Sequence, residues 1–176
     1  MLGAVCFGWN FLCTEIDPES FKLCVQNVKA NALESRIDCI MGKEDSLLTF
    51  IFERKCSNKF AACVCNPPFF DQDSSLKARC TMTESEAIAP DGEYGFAMRI
   101  FKESQLLGDK ISWYTCMIGK KDTLKRLVSA FYDSDTPPLV VRKGEFLQGK
   151  QTRWTVAWSF DPAIKKVIEE LLDKVT

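Results

Sequence analysis

Short apolar runs alternate with amphipathic segments along most of the chain. The first run covers 9–16 and ends in acidic residues, which is typical of a buried strand with a polar carboxyl end. Asp17-Pro18-Glu19 then begins a helix whose apolar stripe consists of Phe21, Cys24, Val25, Val28 and Ala32. Further strands are predicted at 37–41 and 60–65, with a short helix at 46–52 between them. This order predicts parallel strands joined by helices, the α/β class.

The second half of the chain keeps this alternation and then departs from it. A helix with Phe96, Ala97, Ile100 and Phe101 on one face precedes a strand at 111–118 and a helix at about 123–132. Two strands at 139–147 and 152–160 are joined by only four residues, which predicts an antiparallel hairpin instead of a crossover. Asp161-Pro162 begins a final helix with an apolar stripe. We expect one domain over 1–176.

The segment 71–93 interrupts the pattern. It carries six acidic residues against two basic ones, with Ser, Thr, Pro and Gly scattered among them. Because it shows no periodic apolar face, we predict a mobile acidic loop within the domain.

The composition limits the available chemistry. The chain has no histidine, which excludes Ser-His-Asp and Cys-His nucleophiles and His-ligated zinc. Its nine cysteines are odd in number and form no Cys-x-x-Cys pair, so we expect buried reduced thiols and no metal site. The net charge is −1, so a nucleic acid would have to meet a local surface. No apolar run approaches the ~20 residues of a membrane helix, and we expect no membrane partner.

The most informative tetrapeptide is Asn66-Pro67-Pro68-Phe69, which follows a strand at the end where open α/β sheets bind ligands. The Asn66 amide oxygen and the Pro67 carbonyl are acceptors that suit an exocyclic amine. Phe69 offers a face on which an extruded purine would stack. Two hydrogen bonds to an adenine amine would favour attack of its nitrogen on a methyl sulfonium without a strong general base. A strand end closed by Pro-Pro and an Asx turn fits the same residues equally well.

Two weaker signals accompany this tetrapeptide. Glu15 ends the first strand, where α/β nucleotide folds place a carboxylate against ribose hydroxyls, although a solvated strand-end carboxylate is the alternative. The segment 119–153 carries eight basic residues against four acidic ones. Aromatic residues fall among them, as RNA binding favours, but core aromatic residues explain the same pattern.

Five ordered blocks of sequence resemble one family. They are FLCTEID (11–17), CNPPFF (65–70), APDGEYGFAMRI (89–100), WYTCMIGKK (113–121) and FLQGKQTRWTVAWSF (146–160). Together they resemble the methyltransferase-like protein 16 family, the U6 small nuclear RNA N6-adenosine methyltransferases, and its bacterial ribosomal-RNA relatives. The similarity runs from Leu2 to Phe160, so it is far more specific than the tetrapeptide alone.

The resemblance implies a class I methyltransferase with a Rossmann-like fold. Such an enzyme transfers a methyl group from S-adenosyl-L-methionine to adenine N6 in structured RNA, such as a U6-like hairpin. The positions that match the catalytic motif are Asn66, Pro67, Pro68 and Phe69, and those that match cofactor contacts are Glu15, Ser46 and Asn66. The RNA would pass near Lys120, Lys121, Lys150 and Arg153. The family implies no metal or membrane, and a location in the nucleus and cytoplasm.

The chain departs from the family in three places. Ahead of the position of Met1 the family has a basic segment, then a first strand with a glycine-rich cofactor loop, while Gly3-Ala4 resembles the helix after that loop. The resemblance therefore implies a domain truncated at its N-terminus, and we expect weak or no cofactor binding by this chain alone. Asp45 replaces a lysine of the family's regulatory loop, and the 71–93 segment is acidic where relatives are basic. Both changes weaken RNA binding.

Two other functions fit parts of the sequence. A protein-glutamine N5-methyltransferase uses the same Asn-Pro-Pro acceptors on an amide nitrogen, although its relatives usually carry tyrosine where Phe69 stands. A non-catalytic RNA-binding remnant would keep the basic hairpin and lack the cofactor site. In that second case Asn66→Ala would change nothing, whereas replacing Lys120, Lys121 and Arg153 would weaken RNA retention.

Overall fold

The computed structural model describes residues 1–53, 59–67 and 92–174. The chain forms two compact units, Met1–Phe50 and Ile51–Thr176. The single domain expected over 1–176 stays a prediction. None of the helices in the described ranges is long and apolar enough to cross a membrane.

The amino-terminal unit, Met1–Phe50, contains a two-stranded parallel sheet. Its elements in chain order are α1 (Leu2–Phe7), β1 (Phe11–Glu15), α2 (Pro18–Ala30) and β2 (Ile37–Met41), and α3 (Thr49–Glu53) begins at its end. The side chain of Asp17 accepts a hydrogen bond from the Ser20 amide at 2.7 Å, so it caps α2 as the sequence predicts. Four buried residues form the core of this unit, namely Ala4, Val28, Leu33 and Ile37.

The carboxyl-terminal unit, Ile51–Thr176, is built on a mixed four-stranded sheet. Its elements are β3 (Phe60–Cys65), α4 (Gly92–Leu107), β4 (Ile111–Ile118), α5 (Lys121–Tyr132), β5 (Val140–Gln148), β6 (Gln151–Ser159) and α6 (Pro162–Asp173). The strand order is β3-β4-β6-β5. β3 and β4 are parallel, and β6 runs antiparallel to both β4 and β5. The hairpin predicted from the sequence is therefore present and extends the parallel part of the sheet.

Aromatic side chains form the core of this unit on one face of the sheet. Phe101 of α4 and Phe131 of α5 stack with ring centroids 4.3 Å apart, and both contact Trp158 of β6. The Trp158 indole N–H donates a buried hydrogen bond to the Ser104 hydroxyl at 2.9 Å. Tyr114 of β4 stacks on Trp158 and donates its hydroxyl to the Gly108 carbonyl.

A polar network lies at the end of this sheet where β3 and β4 begin and β6 ends. Asp161, which is 4% exposed, accepts hydrogen bonds from the Ser112 hydroxyl and the Ala163 amide. The Lys59 ammonium lies 2.8 Å from the Asp161 carboxylate. These contacts lower the pKa of Asp161, with the hydrogen bond from Lys59 as the largest cause. They join the segment before β3, the start of β4 and the beginning of α6.

Three features differ from the sequence predictions. The predicted loop at 71–93 falls outside the described residues except for Gly92 and Glu93, which are the first residues of α4. The helix expected from residue 46 begins only at Thr49. All seven described cysteines are free thiols, but only Cys116 is buried, so the expectation of buried thiols was wrong for the others.

Candidate functional site

The carboxyl edge of the four-stranded sheet, where β3, β4 and β5 end and β6 begins, gathers most of the candidate residues. Asn66 and Pro67 directly follow β3; Asn66 is exposed and Pro67 is buried. Pro68 and Phe69 lie outside the described residues. Since Cys65 pairs with Cys116, the end of β3 lies beside the end of β4. Two polar acceptors, the Asn66 amide oxygen and the Pro67 carbonyl, are thus placed at the edge where open α/β sheets bind ligands.

Glu93 lies at the same edge and was not recognised in the sequence. It is only 4% exposed, and its Oε1 accepts a hydrogen bond from the Gly119 amide, just after β4. Its Oε2 is buried and has no hydrogen-bond partner in the part of the chain that the structure describes. A buried carboxyl oxygen without a hydrogen-bond donor is uncommon in folded proteins. No sequence signal distinguishes it, because Glu93 is one acidic residue among many in its segment.

Thiols line the sheet next to Asn66. The pKa of Cys65 is lowered because the Cys116 thiol donates a hydrogen bond to its sulfur, while partial burial raises the pKa of Cys63 to about 12. The pKa of Cys116 is raised, chiefly by its hydrogen bond to Cys65 and by burial. Within the described ranges, no group of three or more His, Cys, Asp or Glu side chains is arranged to hold a metal ion.

The basic residues predicted to meet RNA also lie along the carboxyl edge. Lys120 and Lys121 follow β4, and both are exposed. Lys150 is exposed in the two-residue turn between β5 and β6, and Gly149 in that turn has φ +62°. Continuing the β4–β6 register by one residue places Arg153 opposite Gly119. The structure therefore brings all four basic residues to the edge that carries Asn66.

The hairpin of β5 and β6 projects beyond β4 at this edge. The last β4 pair joins Ile118 to Trp154, so 151–153 of β6 continue past the end of β4 by about 10 Å. The Trp154 indole N–H donates to the Glu145 carboxylate on the neighbouring strand at 2.8 Å. Phe146 and Leu147 near the tip are 40% and 77% exposed. The tip thus combines basic and apolar side chains on a well-paired ribbon.

The two remaining candidate residues lie in the amino-terminal unit. The Oε1 atom of Glu15 accepts hydrogen bonds from the amides of Ile16 and Asp17 at 2.7 and 2.9 Å, which fixes the carboxyl group at the end of β1. Neither bond uses its Oε2 atom. The Ser46 hydroxyl accepts the Phe50 amide at 3.0 Å and lies 2.7 Å from the Thr49 hydroxyl, so it caps α3. A shared cofactor contact of Glu15, Ser46 and Asn66 stays a prediction.

Comparison with known sequences shows the family. The profile of an RNA methyltransferase family matches residues 1–83 and 72–162. The chain is 32% identical over 173 residues to the mouse RNA N(6)-adenosine-methyltransferase METTL16, covering 91% of this chain and 31% of that protein. It is 31% identical over 169 residues to the Schizosaccharomyces pombe U6 small nuclear RNA (adenine-(43)-N(6))-methyltransferase, covering 91% of this chain and 42% of that protein. The chain thus spans less than half the length of either relative.

Solved structures show the same fold. The human METTL16 catalytic domain in complex with the MAT2A 3′UTR hairpin 1 matches with a TM-score of 0.78 and 32% identity over 91% of this chain and 58% of that one. The N-terminal domain of human METTL16 in complex with SAH matches with a TM-score of 0.74 and 32% identity over 91% of this chain and 55% of that one. The class I methyltransferase fold predicted from the sequence is confirmed. The chain belongs to the RNA methyltransferase family that includes METTL16.

Proposed function

We propose that this chain is the catalytic part of an RNA N6-adenosine methyltransferase that uses S-adenosyl-L-methionine and acts on structured RNA. The names of the mouse and Schizosaccharomyces pombe relatives support the reaction. The complexes of METTL16 with an RNA hairpin and with SAH support the substrate and the cofactor. The observation that carries the proposal is that Asn66 and four basic side chains lie at one edge of the sheet.

The acceptors at the end of β3 suit an adenine amine. The N6 lone pair is delocalised into the purine ring, which makes the amine a poor nucleophile. The Asn66 amide oxygen and the Pro67 carbonyl would accept its two hydrogens and favour a pyramidal nitrogen. The nitrogen would then be placed to attack the methyl carbon of S-adenosyl-L-methionine, with loss of the bond from that carbon to sulfur and release of one N6 proton. These hydrogen bonds position and polarise the amine, so the absence of histidine from the chain is no obstacle.

The residues of the amino-terminal unit fit a nucleoside cofactor in part. S-adenosyl-L-methionine, when bound, supplies a methyl group made electrophilic by its positively charged sulfur. The Glu15 carboxyl group is fixed at a strand end and keeps Oε2 as an acceptor for ribose hydroxyls. Ser46 fits less well, because its hydroxyl already caps α3. Glu15 is therefore the residue of this unit that we expect to matter most for cofactor affinity.

The test is methyl transfer from labelled S-adenosyl-L-methionine to an RNA hairpin that contains adenosine. It is run with this chain and with a longer version preceded by the corresponding amino-terminal part of the mouse relative. We expect incorporation at adenine N6 to fall by about 100-fold or more in Asn66→Ala, because one of the two acceptors is lost. Asn66→Asp keeps an acceptor oxygen and should retain more activity than Asn66→Ala.

The matched control is Asn10→Ala, which removes an exposed amide side chain just before the first residue of β1. It should methylate RNA at the rate of the unchanged chain. Methylation of a glutamine-containing peptide in place of RNA would support the protein-glutamine alternative. Retention of the hairpin by both versions without any methyl transfer would favour a non-catalytic RNA-binding protein and would refute the proposal.

A further inference from the structure

Three thiols come together in the amino-terminal unit. Cys13 of β1 and Cys39 of β2 are register partners on neighbouring parallel strands. Cys24 projects from α2, and its Sγ atom lies 3.4 Å from the Sγ atom of Cys39. We refer to Cys24 and Cys39 as the thiol pair. They are 15 residues apart in the chain and join the helix to the strand on which it packs.

The thiol pair is accessible to solvent, and one of its two thiols is held in the protonated form. Both residues are partly exposed, so a small solute reaches this region without unfolding of the unit. Partial burial and a hydrogen bond with Cys24 raise the pKa of Cys39 to about 12. Cys39 therefore keeps its proton at neutral pH, and either sulfur of the thiol pair can donate the hydrogen bond between them. Because the thiolate is the reactive form of cysteine, the raised pKa makes Cys39 an unfavourable first nucleophile, and we assign the first attack to its partner.

We propose that Cys24 and Cys39 are a modification site, at which a hydroperoxide converts the thiol pair to a reversible disulfide. The Cys24 thiolate attacks one peroxide oxygen, the O–O bond breaks, and a sulfenic acid forms at Cys24 with release of hydroxide. The Cys39 sulfur then attacks the Cys24 sulfur, and the sulfenic hydroxyl leaves as water with the Cys39 proton. With hydrogen peroxide, two thiols and one peroxide give one disulfide and two waters.

The geometry requires little rearrangement for this bond. A disulfide has an S–S length of about 2.05 Å, so the two sulfurs must approach by about 1.4 Å, which side-chain rotation can supply. The pair of Cys65 and Cys116 is less accessible, because Cys116 is 1% exposed within the sheet. Cys6 is exposed on α1. Among the described cysteines, Cys24 and Cys39 combine contact with access to solvent.

The test begins with the reduced chain and one equivalent of hydrogen peroxide. Free thiols are then blocked with N-ethylmaleimide, the chain is digested, and the peptides are analysed by mass spectrometry without reductant. We expect a peptide pair joined through Cys24 and Cys39, lighter by two hydrogens than the separate peptides, which dithiothreitol separates. We also expect oxidation to raise the melting temperature by about 4 °C or more, because the bond restricts the unfolded chain.

Single Cys→Ser variants identify which two cysteines form the disulfide. Cys24→Ser and Cys39→Ser should each abolish the linked peptides and the melting shift, whereas Cys6→Ser should change neither. Cys13→Ser should still form the bond, which shows that the neighbouring strand thiol is not required. The inference is overturned if both cysteines stay blocked by maleimide after peroxide, if Cys24 is oxidised without linkage, or if Cys39 links to Cys13. None of these outcomes depends on methyl transfer.

Discussion

Single residues at the carboxyl edge differ in how far the sequence reveals them. Asn66 follows an apolar strand and precedes two prolines, so its type and position identify it as a candidate from sequence alone. Glu93 accepts a hydrogen bond from Gly119, just after β4, but its burial depends on where α4 packs. Its sequence surroundings are acidic and predict exposure. The residue type at a strand end therefore identifies Asn66 from the sequence. The burial of Glu93 depends on tertiary packing, which the sequence pattern does not show.

The Glu93 hydrogen bond gives a prediction about stability. We expect Glu93→Ala to lower the free energy of unfolding by about 1–3 kcal/mol, because the Gly119 amide loses its acceptor. Glu93→Gln should recover most of this loss, since its side-chain carbonyl oxygen accepts the same bond. The measurement is urea unfolding followed by tryptophan fluorescence. The exposed Glu169 of α6 provides the control, and equal losses in both Glu93 variants would contradict the role of this bond.

Asp161 gives a prediction about pH. Its pKa in the folded chain is held below the ordinary value of 3.8, first by Lys59 and further by the Ala163 amide and the Ser112 hydroxyl. The carboxyl group therefore stabilises the fold fully above that ordinary value, and this contribution is lost as the pH falls through the lower, folded pKa. Asp161→Asn should unfold at less urea than the unchanged chain at pH 7, and the difference should shrink below pH 4. A difference that is constant with pH would count against the ion pair. Asp122→Asn, at an exposed position, should change stability at pH 7 by less than about 0.5 kcal/mol.

At the scale of elements, strands were easier to predict than helix ends. The strands at 37–41, 60–65 and 111–118 have the predicted bounds, because each apolar run is limited on both sides by polar or turn residues. Helix starts depend on which side chain caps the first turn. Ser46 accepts the Phe50 amide and so precedes α3, although apolar periodicity alone extends the helix back to it. The hairpin turn is also tighter than predicted, since Gln148 and Gln151 are paired.

The cap of α2 is the element prediction that can be measured most directly. Asp17→Ala should lower the free energy of unfolding by about 1 kcal/mol, because the Ser20 amide loses its acceptor. Asp17→Asn should recover most of the loss, since asparagine caps helices about as well as aspartate. Glu19→Ala in the same turn is the control, because its exposed pair with Lys22 contributes little. Circular dichroism during thermal unfolding distinguishes the variants, and equal effects of Asp17→Ala and Glu19→Ala would rule out the cap.

At the scale of the whole molecule, the net charge is only −1, yet four basic residues in the described part of the chain share one edge of a sheet. Lys120, Lys121, Lys150 and Arg153 lie at the carboxyl edge of the sheet, together with Asn66. The net charge alone predicts no attraction to nucleic acid, because it sums all charged residues without regard to their positions. Only the topology shows that β4, β5 and β6 bring these residues to one side. The distribution of charge, and not its sum, is what supports RNA as the substrate.

This distribution predicts how RNA retention depends on salt. Replacing Lys121 and Lys150 by glutamate should weaken binding of an RNA hairpin by about 10-fold or more at 50 mM salt. The slope of log affinity against log salt should become shallower by about one or two, because fewer counterions are released. Lys166→Glu, in α6, should leave both quantities unchanged. Fluorescence anisotropy with a labelled hairpin measures them, and an unchanged slope in the double variant would place the RNA elsewhere.

The length of the β5–β6 hairpin determines how far its basic tip extends from the sheet, and this length can differ among relatives. Its tip lies beyond β4, so residues can be added to both strands there without disturbing the pairing of Trp154 with Ile118. Each added pair lengthens the ribbon by about 3.4 Å, but it also turns every side chain nearer the turn to the opposite face. A single added pair would therefore point Lys150 and its neighbours away from their present side. Lengthening by two pairs would move the same positive charge outward by nearly 7 Å on the unchanged face. Relatives with a longer hairpin that keeps its basic face should therefore carry an even number of added residue pairs.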